Sequence, residues 1–296
     1  MTNDITHILA VVNQVDDGEI VLQKAETVAR VSGADIHVVK VLYESFLNLT
    51  FPDVEQSLNI KNRLIGTEET LLEGLIAPIR ASTDLKIDAQ VLWRKYESQG
   101  IVDAAREVGA DLIIKSTNHP VPEIIRTPQD WHLLRHSHVP VMLVKPLTWK
   151  THPLILAAID IDDPHQEDLN IRILQSADRI NRMLGGRLYL VNAYPGIGPW
   201  LGPVTPEVDI DLFRKSVSAA IEKKLRALAD RFDIQPDLLL AAEGRPQDAL
   251  EKLVADQGAE ILIMGTSQRE GPIGLVIGNT SEDILHQVNS DVLVLK

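Results

Sequence analysis

The chain has 296 residues, 45% of them apolar, and its acids outnumber its bases to give a formal charge of −13. That is a globular composition with room for one large core or two ordinary ones, and it argues against a nucleic-acid partner, because affinity for a phosphate backbone comes from concentrated Lys and Arg. Cysteine is absent, which excludes disulfides, thiolate zinc sites and cysteine nucleophiles.

Met1-Thr2-Asn3-Asp4 has neither a basic stretch nor an apolar one, and no apolar run reaches membrane-spanning length. The expectation is a cytoplasmic protein without membrane contact. From there, short apolar runs alternate with longer amphipathic ones, the pattern of a parallel sheet crossed by helices. Strands are expected at His7 to Val12, Asp35 to Leu42, Leu85 to Leu92, Asp111 to Lys115 and Val139 to Val144. Helices are expected at Gly18 to Val31, Ser57 to Ala81, Gln99 to Val108 and Asp130 to His136.

The same order then returns. Gly109-Ala110-Asp111-Leu112-Ile113-Ile114 is answered by Gly258-Ala259-Glu260-Ile261-Leu262-Ile263, and Pro140 to Lys145 by Asp291 to Lys296. Two half-chain repeats imply two domains of one fold, expected at 1–146 and 151–296, because a solenoid would have a far shorter period. In the second half the strands are expected at Leu154 to Ile159, Arg187 to Ala193, Asp237 to Ala242, Ile261 to Met264 and Val292 to Leu295. Helices follow at Asn170 to Leu184, Asp209 to Phe232, Pro246 to Asp256 and Ser281 to Val288. Tyr194 to Pro206, rich in Pro and Gly, reads as a loop carrying Trp200, either a lid for a ligand or a packed surface side chain.

Two places carry candidate chemistry. Gly265 to Glu282 follows directly on the apolar run Ile261 to Met264, and glycines at 265, 271, 274 and 278 offer positive-φ freedom for a flexible loop. Asn279 with Glu282 reads as a capping pair opening a short helix through Ile284, Leu285 and Val288. Free N–H groups and the positive end of a helix dipole there favour an anion, most often phosphate, although such loops also serve as plain turns. The second place is Asp160, which ends the first strand of the second repeat and is followed by Asp162 and Asp163. An acid at a strand's carboxyl end holds a ribose hydroxyl, an amino group or a metal, or simply caps a solvated turn.

Gly265 with Gly278 thirteen residues on resembles the universal stress protein pattern Gly-x2-Gly-x9-Gly-Ser/Thr, with Gln268 and Asn279 standing at its second and fourth positions. Gly278-Asn279-Thr280, together with Thr127-Pro128-Gln129-Asp130-Trp131-His132-Leu133-Leu134-Arg135 in the first half, is similar to the tandem UspE-type branch of that family. The resemblance covers nearly the whole chain. It implies an α/β fold of two tandem Rossmann-like (adenine nucleotide alpha hydrolase-like) domains, each an open twisted five-stranded parallel sheet with helices on both faces. It also implies a stress-response module that binds ATP or a related phosphorylated molecule, with Mg2+ alongside, in the second domain.

Carried over by position, Asp160 falls in the nucleotide pocket and is the residue that would hold a metal. Ala193 falls where the second strand meets adenine through its backbone, and Ser267, Gln268, Gly278, Asn279, Thr280 and Ser281 where the phosphates lie. Ile159, Met264 and Gly265 complete the implied binding set. Gln268 and Asn279 depart from the pattern and imply weaker binding. The first half departs further, with Asn13 in place of Asp160, Ser116 in place of Gly265 and Thr127-Pro128 at the last Gly-Ser/Thr, so it is expected to bind no nucleotide. Single-domain relatives dimerise through their last strands, which implies an internal pseudo-dimer through Val139 to Val144 and Val292 to Leu295 and leaves further homo-oligomers open.

His132, His136 and His138 allow a metal site by spacing, but no carboxylate motif accompanies them, and Trp131 and Leu134 read as core. Gly-x-Ser-x-Gly and Gly-x4-Gly-Lys-Ser/Thr are absent. The loops Asn13-Gln14-Val15 and Asp160-Ile161-Asp162 are unlike the Ser-Gly-Gly-x-Asp-Ser loop of ATP-pyrophosphatases. Catalysis therefore has no motif behind it. The alternatives are a slow nucleotide hydrolase using Asp160 with a metal, and a protein-interaction scaffold that binds no nucleotide.

Overall fold

The structure is a computed structural model that describes residues 5–13, 15–45, 47, 54–117, 128–196, 209–266, 268–271, 274–277, 284–285 and 287–296. The chain divides into two compact units, Met1–Pro146 and Leu147–Lys296.

The first unit runs β1 (His7–Val11), α1 (Val15–Ser32), β2 (Asp35–Leu42), α2 (Val54–Ser82), β3 (Ile87–Trp93), α3 (Glu97–Glu107), β4 (Leu112–Ser116), α4 (Pro128–His136) and β5 (Val141–Val144). Its five strands are all parallel, in the order β3-β2-β1-β4-β5. The chain steps outward from β1 to β3 and then returns to β4 on the other side of β1. Parallel crossovers are right-handed, so this reversal sends α1 and α2 to one face and α3 and α4 to the other. The contacts agree: α1 packs on β1, β4 and α2, while α3 packs against α4. Trp131 and Leu134 on α4 are buried, as their sequence pattern suggests.

The second unit repeats the plan with β6 (Leu154–Ala158), α5 (Glu167–Leu184), β7 (Arg187–Tyr194), α6 (Ile210–Arg231), β8 (Leu238–Glu243), α7 (Pro246–Gln257), β9 (Ile261–Gly265), a hairpin of β10 (Gln268–Gly271) and β11 (Gly274–Ile277), and β12 (Asp291–Leu295). The sheet order is β12-β9-β6-β7-β8, again all parallel. Central strands β1, β4, β6 and β9 are covered on both faces and buried almost throughout, which is why they read as largely apolar runs, β4 ending in the buried Lys115 and Ser116. Edge strands β3 and β8 are only partly buried. Helices α5 and α7 end on Gly185 and Gly258, whose φ of 58° and 63° is the left-handed cap that glycine accepts without strain. Among the described residues no helix is long and apolar enough to cross a membrane.

Acids guard the entry ends of the strands. Asp111, just ahead of β4, accepts bonds through Oδ2 from the Thr6 N–H (2.8 Å), the Thr6 hydroxyl (2.8 Å) and the His7 N–H (3.1 Å). Glu260, its counterpart ahead of β9, accepts from the Leu154 N–H at 2.8 Å, and Asp237 accepts from the Leu188 N–H at 2.7 Å. The segment leading into β6 is held in the same way: Trp149 Nε1 donates to the buried Asp291 at 2.8 Å, and Lys150 lies 3.2 Å from Glu260.

Three expectations are corrected. The glycine-rich stretch is not all loop, since Gln268 pairs with Ile277 and Gly271 with Gly274 in an antiparallel hairpin. Two short runs joined across residues 272 and 273 satisfy each other's backbone groups locally. Nor does Gly265 turn the chain: it is the last residue of β9, paired with Leu295, and does not have a positive φ. Helix α5 also begins earlier than the apolar pattern shows, at Glu167, behind a 3-10 turn (Pro164–Gln166) capped by Asp163.

Candidate functional site

In the second unit the strand order reverses between β6 and β9, and their pairing stops at Ala157 and Ile263, short of the carboxyl end of each strand. A cavity of about 240 Å³ lies at that point, walled by the ends of β6, β7 and β9, the first turns of α5, the start of α7, and Ile284. Open α/β sheets bind ligands at such a reversal, because helices leaving on opposite faces open a crevice between neighbouring strands.

Each wall has a local cause. Gly265 brings β9 against α5: a Cβ at that position would sit 2.5 Å from Leu169 Cδ2 and 3.1 Å from Ile173 Cδ1. A side chain there would force Leu169 to shift, so the preference for glycine is steric. Asn170, buried on the first turn of α5, spends both ends of its amide on the backbone of Asp160, accepting from its N–H at 3.0 Å and donating to its C=O at 2.5 Å. That double bond fixes the chain where it leaves β6, and Asp160 stands exposed there with Oδ1 accepting from the Asp162 N–H at 3.3 Å. Asn192 on β7 donates through Nδ2 to the C=O of Ile159 at 2.9 Å, bracing β6 against β7.

Of the sequence-predicted residues, Ile159, Asp160, Ala193, Met264 and Gly265 all line this one cavity. Gln268 belongs to the hairpin, while Ser267, Gly278, Asn279, Thr280, Ser281 and Trp200 lie outside the described residues. The capping pair of Asn279 and Glu282 lies there too, but the helix it was read to open is present at Ile284 and Leu285, and the Val288 N–H donates to the Ile284 C=O at 3.0 Å. Sequence reading missed Asn170 and Asn192. Asn192 carried a signal, a polar residue inside the otherwise apolar run Leu188 to Ala193.

Next to the cavity, Tyr194 at the end of β7 is buried, and burial pushes its phenol up from the usual range. The charge of Glu243 pushes it the same way, and Arg214, 2.9 Å from Glu243, opposes both. Among the described residues no group of three or more His, Asp or Glu is placed to hold a metal ion.

The corresponding place in the first unit is built differently. Where the second unit has Met264, β4 has Lys115, buried, with its ammonium 2.8 Å from Asp130 on α4 and 3.8 Å from Glu97 on α3. Ser116, at the position of Gly265, is also buried. Nearby, Ser98 Oγ lies 3.0 Å from His132 Nδ1, His136 Nδ1 donates to the His132 C=O at 2.8 Å, and the two rings stack at 3.9 Å. Each ring thus has one nitrogen in a protein hydrogen bond, and burial, with the neighbouring His136 and Arg135, lowers the pKa of His132.

Comparison with known proteins covers the same span. The chain is 23% identical over 299 residues to universal stress protein E of Escherichia coli K12, across 98% of this chain and 93% of that one. It is 26% identical over 224 residues to a universal stress protein E homolog of Haemophilus influenzae, across 73% and 72% of the two chains. In structure it resembles a protein of unknown function from Pseudomonas aeruginosa PAO1, with a TM-score of 0.70, 24% identity and coverage of 99% and 92%. A universal stress protein from Archaeoglobus fulgidus DSM 4304 superposes with a TM-score of 0.66 at 15% identity, over 99% and 97% of the two chains. At these identities the two structures speak for the fold alone. The family model for universal stress proteins matches twice, over residues 4–145 and 154–296, and the chain therefore belongs to the universal stress protein family as a tandem member.

Proposed function

We propose that the second unit binds an adenine nucleotide, ATP or a close relative, with the nucleoside part in the cavity between β6, β7 and β9. The family pattern assigns the phosphates to Ser267 and residues 278–281. The observation that carries this reading is the cavity itself: Ile159, Asp160, Ala193, Met264 and Gly265 line one crevice at the strand-order reversal. Its volume of about 240 Å³ is small beside the ~300–1,000 Å³ usual for ligand pockets, which suits a nucleoside held inside with its charged tail left outside. Asp160, exposed at the mouth and fixed through its backbone by Asn170, is placed to accept from ribose hydroxyls. As a lone carboxylate it would hold Mg2+ only together with ligand phosphates, the manner in which proteins commonly bind that ion.

The first unit has no such role in this proposal, because Lys115 and its two acids stand where the second unit has Met264 and its cavity.

Calorimetry of the full chain with ATP tests the reading. The expected result is one nucleotide per chain, with binding lost in Ala193→Phe, which fills the cavity, and kept in Lys115→Met. Absence of binding at millimolar ATP, or binding indifferent to Ala193→Phe while circular dichroism shows that variant folded, would overturn it. Release of phosphate from labelled ATP in the same samples separates a binding module from a slow hydrolase.

A further inference from the structure

We infer that Met264 is an oxidation site: its thioether takes an oxygen atom from a peroxide that enters the cavity, and the sulfoxide so formed weakens nucleotide binding. The site stands on the cavity itself, while its effect on a ligand rests on the binding proposed above.

Met264 lines the cavity one residue before the end of β9, and its neighbour shows which way its side chain points. Side chains alternate across a strand, and a Cβ on Gly265 would point at Leu169 and Ile173 of α5. Met264 therefore points to the other face of the sheet, the side of α7, where Leu250 and Ile284 complete the wall. It is 5% exposed, whereas Met142 inside β5 is 1% exposed and does not line the cavity, and Met183 near the end of α5 is half-buried. The chain thus carries its own slow and fast references for the reactivity of a thioether. Hydrogen peroxide is little larger than water, and a cavity of about 240 Å³ with the exposed Asp160 at its mouth has room for it.

The chemistry needs no further group. A lone pair of Sδ attacks one peroxide oxygen, the S–O bond forms as the O–O bond breaks, and hydroxide leaves. The proton on the transferred oxygen passes to that hydroxide, so the products are the sulfoxide and water; sulfur gives up two electrons and the peroxide takes them. The change matters because of what stands beside it. A thioether is a soft apolar group that suits the face of an aromatic ring, whereas a sulfoxide is polar and carries a strong acceptor. Ile159, Leu250 and Ile284 share the wall, and none of their side chains can donate to it. A ring seated against that wall would strip water from the S=O group without replacing its hydrogen bond. The first unit has Lys115 at this position, so the sensitivity belongs to the second unit alone.

The test treats the folded full chain with hydrogen peroxide and follows sulfoxide at each methionine by mass spectrometry of the digested protein. Met183 is expected to react first, Met264 next and Met142 last, and saturating ATP is expected to slow Met264 while leaving Met183 unchanged. Calorimetry of the oxidised wild type should show ATP bound about tenfold more weakly than before treatment. Met264→Leu and Met183→Leu, each compared with its own untreated sample, assign that loss: oxidation should leave the affinity of Met264→Leu where it was and still weaken Met183→Leu. Oxidation of Met264 no faster than that of Met142 overturns the site. Affinity that is unchanged or increased in the oxidised wild type, or retained in oxidised Met183→Leu, overturns the effect on binding. Absence of ATP binding by the untreated wild type overturns the proposed function instead, and the rates at Met264 and Met142 still decide the oxidation site.

Discussion

Asp111 shows how much one side chain can carry in this fold. Burial raises its pKa, but the bonds from the Thr6 N–H, the Thr6 hydroxyl and the His7 N–H, with the charge of His7, outweigh that, and its carboxyl is held below the usual range. A lowered pKa means that the folded state prefers the carboxylate. Its contribution is complete above the unfolded value, about pH 4, and is lost as pH falls through the folded one. Asp111→Ala is expected to cost about 1–3 kcal/mol at pH 7 by urea unfolding, and the deficit should shrink below about pH 4. A deficit independent of pH would mean that the carboxylate charge is not what the strand entry uses. Asn170 and Asn192 teach the complementary lesson. Both bond main-chain atoms just beyond the end of β6, 10 and 33 residues away, so periodicity gives no sign of Asn170 and shows Asn192 only as an odd polar residue in an apolar strand.

At the scale of elements, β9 and α5 meet closely beside the cavity, and Gly265 leaves room for the α5 side chains there. Gly265→Val would place atoms inside Leu169 and press on Ile173. Overpacking of this kind costs about 1–3 kcal/mol, and here it also pushes α5 away from the cavity floor. Thermal unfolding should show the loss, and ATP calorimetry a weakening larger than the stability change alone explains. A variant that is as stable as the wild type would remove the steric account of this glycine. Existence and type of the long elements were legible because their apolar periods are strong, while β10 and β11 were not. A four-residue strand leaves too short a pattern to tell from a loop, and Gly271 and Gly274 read as flexibility when they in fact pair in a hairpin.

For the whole molecule, the segment entering the second unit is part of that unit's structure. Trp149 bonds the buried Asp291 at the start of β12, and Lys150 pairs with Glu260 ahead of β9. Trp149→Phe keeps the ring and removes the donor, leaving a buried carboxylate short of one bond, and is expected to cost about 1–3 kcal/mol in the full chain. Hydrogen exchange should register that loss at β9 and β12 and leave β1 to β4 unchanged. Uniform loss across both units would show instead that the two unfold as one.

From the sequence alone came the class of the fold, the two repeats and five residues of one cavity, Ile159, Asp160, Ala193, Met264 and Gly265. Their periods, their spacing and their resemblance to a family pattern are properties of the chain read linearly. Tertiary structure decided which neighbours such residues meet. Gly265 is a point of close approach and not a turn, Lys115 meets two acids in the first unit, and Asn192 braces β7 against the chain leaving β6 in the second. The reason is that a polar atom's partner and a glycine's neighbour are set by which strands and helices meet in space. Such meetings join positions 10 to more than 100 residues apart, as Asn170 meets Asp160 and Asp111 meets Thr6, where no local pattern records them.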